Sequence, residues 1–240
     1  MNILSIGNSF SQDAQRYLHR IAKAAGEELT TVNLYIGGCS LYRHYINMLE
    51  DRKSYGLEIN GEGTGFYVSI KEALVNRQWD VVTLQQASIE SVDYDRYSPY
   101  IQELAAYIRK YCPKTKLMVH QTWAYERDSE RLIQKLGYVD QALMYTDLKE
   151  AYQKSKESIQ ADGIIPSGTL LQNMLKAGFE TVHRDGCHLG LGAPRYAVAL
   201  LWYRILTGND IMDNSFKDFD VPVSQQEIKL VKNCVIETLS

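Results

Sequence analysis

Several features are scarce or absent in this 240-residue chain, and each absence removes a class of protein. There is no basic surplus: 26 Lys and Arg stand against 29 Asp and Glu, for a formal charge of −3. A nucleic-acid partner is therefore not expected on charge grounds. No apolar run approaches the roughly 20 residues that span a bilayer, so no membrane partner is expected either. The start at Met1-Asn2 lacks the positive n-region and long apolar stretch of a secretory leader. The expected compartment is the cytoplasm if the chain is complete, and a secreted or periplasmic one if a leader has been removed. Only four cysteines are present, Cys39, Cys112, Cys187 and Cys234, and none forms a CxxC pair. That pattern fits reduced, mostly buried thiols rather than a disulfide framework or a zinc site. Neither GxGxxG nor GxxxxGK[ST] occurs, which disfavours a nucleotide-phosphate cradle, and the GxSxG elbow is missing as well.

What remains is a regular alternation. Short apolar runs read as buried strands at Asn2–Ile6, Leu29–Ile36, Asp80–Gln85, Lys116–Gln121 and, more weakly, Asp162–Pro166. Between them the apolar period becomes 3.6. Ala14–Ala25 carries one apolar stripe and stops at Gly26. Ser98-Pro99 opens a helix with Ile101, Leu104, Ala105 and Ile108 inward, and Pro194 begins Ala193–Leu206 ahead of Gly208. The expectation is an α/β protein: a single domain over residues 1–240, with about five mostly parallel strands in a three-layer α/β/α sandwich of flavodoxin-like kind. The stretch SYGLEINGEGTGF (Ser54–Phe66) interrupts the rhythm and reads as a hairpin or surface loop, with a lid over the site as one role open to it. His19 and His44 are expected on the surface, and His120 in the core.

In an open parallel sheet, ligands bind beyond the carboxyl ends of the strands. The residues just past those ends are Gly7-Asn8-Ser9, Gly37-Gly38-Cys39-Ser40, Gln85-Gln86-Ala87-Ser88 and Gln121-Thr122-Trp123. Late in the chain, Asp185 and His188 lie three apart in DGCHLG. A serine hydroxyl becomes a nucleophile when an imidazole takes its proton, and a carboxylate fixes the imidazole tautomer. Ser9, His188 and Asp185 supply those three groups. The backbone N–H groups of Ser9 and Gly38 and the amide of Gln86 are candidates for an oxyanion hole. Gln85 is the other candidate amide, because side chains alternate along a strand. Trp123 and Tyr125 are candidates for lining the cleft, Trp123 as a stacking platform for a sugar ring. His183, Asp185, Cys187 and His188 are of metal-ligating types, but they are too close in sequence to converge on one tetrahedral centre, and no metal site is assigned.

In the order IGNSFS, YIGGCSL, VVTLQQAS and DGCHLG, the chain resembles the SGNH (GDSL-like) hydrolase superfamily. More narrowly, with its QTWAY block, it is similar to the DUF4886 group. The resemblance covers Gly7 to about Leu206. It implies a serine esterase with Ser9 as nucleophile, His188 as general base, Asp185 as its carboxylate and Gly38 as an oxyanion donor, and it implies no cofactor. The implied substrate is a small-molecule or carbohydrate ester with a short acyl group, acetyl above all. Two departures stand out. The usual GDS is Gly7-Asn8-Ser9 here, and the usual asparagine of the third block is replaced by Ala87, leaving Gln86 or Gln85 to substitute. Two rival readings from other classes stay open, a non-catalytic carbohydrate-binding module and a nucleotide- or phosphate-binding domain.

Overall fold

A computed structural model describes residues 1–240. Five parallel strands form the centre of the molecule: β1 (Asn2–Gly7), β2 (Thr30–Tyr35), β5 (Val81–Leu84), β6 (Lys116–Gln121) and β7 (Gly163–Pro166). These are the five apolar runs of the sequence, shifted at most by a residue or so at their ends. Their central members are buried on both faces, which is why they read as continuous apolar runs rather than alternating ones.

The sheet has seven strands, not five, in the order β4-β3-β2-β1-β5-β6-β7. The two additional strands come from the glycine-rich insertion: β3 (Tyr55–Ile59) and β4 (Glu62–Val68) pair antiparallel with each other, and β3 pairs antiparallel with β2. Asn60-Gly61 makes the turn with φ of 54° and 83°, the positive values that a tight two-residue hairpin needs. A β-carbon on Gly61 would stand 2.6 Å from the Arg16 carbonyl oxygen, so glycine is required by space as well as by angle. The insertion therefore widens one edge of the sheet.

Nine helices cover the two faces: α1 (Ser9–Gln15), α2 (Leu18–Ala24), α3 (Leu41–Leu49), α4 (Ile70–Asn76), α5 (Tyr100–Tyr111), α6 (Gln141–Ser158), α7 (Ser167–Lys176), α8 (Ala193–Thr207) and α9 (Gln225–Leu239). The stripe expected over Ala14–Ala25 is divided between α1 and α2. Helix α8 is buried over most of its length, and Gly208 ends it in the left-handed conformation. The buried apolar side chains form one continuous core on both sides of the sheet. No helix is long and apolar enough to cross a membrane. All four cysteines are unpaired and buried. His44, expected at the surface, is fully buried, with its Nδ1 2.9 Å from the Tyr55 hydroxyl. The hairpin strand β3 supplies that partner, and its pairing could not be read from the helix carrying His44.

Candidate active site

The carboxyl ends of β1, β2 and β5 open onto a cavity of about 280 Å³, whose walls include Ser9, Gly38, Ser88, Arg131 and His188. The β3–β4 hairpin does not line it, so the insertion is not its lid.

Ser9 is the first residue of α1, directly after β1 and the N-cap Asn8. Asn8 Oδ1 accepts from the Phe10 N–H at 3.0 Å, and Ser11 Oγ accepts from the Asn8 N–H at 3.1 Å. Capping thus falls to Asn8 and Ser11, and the Ser9 side chain is released for other work. Its Oγ lies 2.9 Å from His188 Nε2, and His188 Nδ1 lies 2.7 Å from Asp185 Oδ2. The carboxylate is acceptor-only when ionised, so His188 Nδ1 carries the proton and Nε2 is left to accept from the serine hydroxyl. Asp185 Oδ1 also accepts from the backbone N–H groups of His188, at 2.8 Å, and Cys187, at 3.2 Å. Although burial works against its charge, these N–H donors and the His188 ring hold the Asp185 carboxyl well below its ordinary pKa.

The loop bearing the pair is tied to the helix bearing the serine. Asp13 of α1 is fully buried, accepts from the Leu189 N–H at 3.0 Å and pairs with Arg184 and Arg195. A bridge between His183 and Leu189 closes the loop at its base, and the Glu126 N–H donates to the Gly186 carbonyl at 2.8 Å. Asp13 carries no site signal in the sequence. Its partners lie more than 170 residues away, and no local pattern announces them.

Two backbone donors remain unused beside the serine. The N–H of Ser9 lies in the first turn of α1, where no intrahelical acceptor exists, and it has no other acceptor in the protein. The N–H of Gly38 is likewise unclaimed, in an exposed turn closed by Cys39 N–H to Ile36 C=O at 3.1 Å, with Gly38 at φ 61°. Asn8 Nδ2 donates to the Cys39 carbonyl at 3.1 Å and so fixes the two loops relative to each other.

Gln86 is not in the cleft. Its Oε1 accepts from the Leu41 and Ala87 N–H groups, its Nε2 donates to the Arg96 carbonyl, and the residue is fully buried. Both ends of the amide are consumed in holding neighbouring loops. Gln85 is also buried; its Nε2 donates to Asn8 Oδ1 at 2.8 Å and its Oε1 faces His120 Nδ1 at 2.7 Å. Trp123 is not in the cleft either. It is 1% exposed, stacks on Phe10 at 4.2 Å between ring centroids, and donates from Nε1 to the Cys187 carbonyl at 2.8 Å. It underpins α1 and the His188 loop, and no face is free for a sugar. Tyr125 is equally buried, with its hydroxyl 2.9 Å from Ser88 Oγ.

Ser88 and Arg131 line the cavity, and neither stood out as a site residue in the sequence. Ser88 ends the QQAS block, so only its place after a strand end was a signal. As for metal, ligand atoms of Asp185, Cys187 and His188 lie within 4.8 Å of one another. Both Asp185 oxygens and His188 Nδ1 are already joined by hydrogen bonds, however, and burial raises the Cys187 thiol pKa to about 11, away from the thiolate a metal needs.

A family model described as "Domain of unknown function (DUF4886)" matches residues 2–238. The chain belongs to the DUF4886 family. It is similar to the crystal structure of a DUF4886 family protein from Bacteroides uniformis, at 34% identity over 100% of this chain and 94% of that one, with a TM-score of 0.90. It also shares its fold with a protein from Slackia heliotrinireducens proposed as an SGNH hydrolase (22% identity, 85% and 97% of the two chains, TM-score 0.61). A lipase/acylhydrolase from Enterococcus faecalis has the same fold (15% identity, 86% and 95%, TM-score 0.54). Comparison with curated proteins finds no match. The DUF4886 chain thus has the α/β fold of SGNH and GDSL-like hydrolases.

Proposed function

We propose that this DUF4886 protein is a serine esterase. The observation that carries the reading is the Asp185–His188–Ser9 string, with links of 2.7 and 2.9 Å, ending in a cavity beside two unclaimed backbone N–H groups. In the proposed reaction, the Ser9 hydroxyl gives its proton to His188 Nε2 while Oγ bonds to the ester carbonyl carbon. The resulting oxyanion is held by the Ser9 and Gly38 N–H groups. His188 then passes the proton to the leaving alcohol oxygen, and the carbonyl re-forms as an acyl-serine. Water, deprotonated by the same imidazole, attacks that acyl group and releases the acid. Asp185 keeps the tautomer and stabilises the imidazolium.

Ser88 fills the place intended for Gln86. The buried Tyr125 phenol has Ser88 Oγ as its only hydroxyl or carbonyl neighbour within hydrogen-bond distance, so Tyr125 donates and Ser88 accepts. The Ser88 proton is then free to point into the cavity as a third oxyanion donor.

A cavity of about 280 Å³ supports a short acyl group, being at the lower end of ligand-pocket sizes. An acetyl ester of a carbohydrate is the substrate that the family resemblance favours. The burial of Trp123 removes the stacking surface on which a purely sugar-binding module would rely. Labelling with a fluorophosphonate followed by peptide mapping tests the reading, together with p-nitrophenyl acetate turnover from about pH 5 to about pH 9. Adduct on Ser9 and turnover abolished in Ser9→Ala and His188→Ala are expected. Equal turnover in all three proteins would refute it.

A further inference from the structure

Charge in the cavity is one-sided. Of the ten residues lining it, Arg131 alone carries a permanent charge. Elsewhere in the protein arginines near carboxylates are paired: Arg184 and Arg195 share Asp13, Arg16 holds Asp220 and Arg20 holds Asp218. Arg131 takes part in no ion pair, although Asp185 lies on the neighbouring loop. That carboxylate is occupied by His188 and its own loop amides, and Glu126 is engaged by the Thr181 hydroxyl.

The position of Arg131 is built, not incidental. It opens a turn over Arg131–Lys135, whose next residue, Leu132, is buried and has its N–H bound to Ser129 Oγ at 3.2 Å. Ser129 packs against Gly186, and Glu126 N–H binds the Gly186 carbonyl at 2.8 Å. The segment carrying Arg131 is therefore anchored to the loop that carries Asp185 and His188. Its guanidinium reaches the same surroundings. Burial raises the pKa of the Tyr125 hydroxyl and of the Cys187 thiol, and the positive charge of Arg131 partly offsets that rise in both.

We propose that Arg131 anchors a carboxylate of the substrate, so that the preferred substrate is a small ester whose acyl or alcohol part is itself anionic. The inference rests on the serine-esterase reading of the same site. Arg131 is exposed to solvent at the mouth of the cavity, and its guanidinium presents a planar fork that binds a carboxylate through two parallel hydrogen bonds. In a cavity of about 280 Å³, a carboxylate held by Arg131 belongs to the same small molecule as the carbonyl over Ser9. Binding at the charged end thus becomes orientation at the reacting end.

Two pairs of near-isosteric esters test this. On the alcohol side, 3-carboxyphenyl acetate is compared with 3-carbamoylphenyl acetate. On the acyl side, the monophenyl ester of adipic acid is compared with that of adipamic acid. In the wild type, kcat/KM for the anionic member should exceed that of the amide by about tenfold or more in at least one pair, which also tells which side bears the charge. The ratio should fall to about one in Arg131→Gln, and Arg131→Lys should keep only part of it because the fork is lost. Raising the salt concentration should lower the wild-type ratio. A wild-type ratio near one in both pairs, or a preference that persists in Arg131→Gln, overturns the anchor while leaving the esterase intact. Absence of all ester turnover overturns the esterase reading and the anchor with it.

Discussion

Two serine–histidine strings lie along the same edge of the sheet. In the first, Ser9 opens α1 after β1, and the links Ser9–His188 and His188–Asp185 are 2.9 and 2.7 Å. In the second, Ser167 opens α7 after β7, and the links Ser167–His120 and His120–Gln85 are 3.0 and 2.7 Å. The distances are nearly the same, and so is the placement of serine at a strand-to-helix junction. The surroundings differ. Ser167 and His120 are wholly buried, Gln85 takes the place of the carboxylate, and burial pushes the His120 pKa down to about 3. A neutral amide gives little support to an imidazolium, and no substrate can reach Ser167. The second string continues from Gln85 to Asn8 and on to the Cys39 carbonyl, so it holds the loop pair on which Ser9 and Gly38 stand. The lesson is that triad-like distances do not identify a site; a carboxylate and an open cavity do.

The sharpest break of this comparison is to truncate each serine. Ser9→Ala should lower kcat for p-nitrophenyl acetate by about 10³-fold or more with little change in melting temperature. Ser167→Ala should leave turnover within a few-fold, yet cost about 1–3 kcal/mol of stability, read by denaturant unfolding, because His120 Nε2 loses its partner. Next comes the third member. Asp185→Asn should cost about 10³-fold in kcat through the wrong tautomer. Gln85→Leu, by contrast, should act chiefly on stability, by about 2–3 kcal/mol, with His120 and Asn8 left unsatisfied. A smaller effect is expected at the hole: Ser88→Ala should reduce kcat by about 10²-fold with KM little changed, and Tyr125→Phe by less. If Ser88→Ala leaves kcat untouched, the two backbone donors act alone.

The smallest effect concerns acid. The folded pKa of Asp185 is depressed, so its contribution to stability is complete above the ordinary carboxylate value near pH 4 and fades as pH falls toward the folded value. The melting-temperature gap between wild type and Asp185→Asn should therefore be widest above about pH 4 and narrow below it. A gap that stays constant through that range would show the carboxylate to be no better held in the folded protein than in the unfolded chain.

Much of this was legible beforehand. The parallel strands announced themselves as apolar runs because both their faces are covered, and Ser9, Asp185 and His188 because a strand end and a three-residue spacing are local signals. The hairpin's Asn60-Gly61 turn was present in the sequence, but strands whose side chains are as exposed as those of β4 carry no apolar pattern to mark their pairing. Gln86 and Trp123 were misplaced for a shared reason. A strand end says that a side chain lies near the edge, but not whether a neighbouring loop has already taken its hydrogen bonds or covered its ring. Leu41, Arg96 and Phe10, which do so, come from other segments. The roles of Asp13, Ser88 and Arg131 depend on the same kind of distant contact.

The bond between Ser9 and His188 spans 179 positions of the chain. A ribosome releases Ser9 long before it releases His188, so on the proposed esterase reading a nascent chain gains activity only once the Asp185–His188 loop has emerged. The same delay should be visible in a test tube. On dilution from denaturant, helical signal can return through local contacts, whereas esterase activity must wait for the most remote ones. Regained turnover should then lag the far-ultraviolet signal, and the length of that lag would time the docking of the Asp185–His188 loop onto α1.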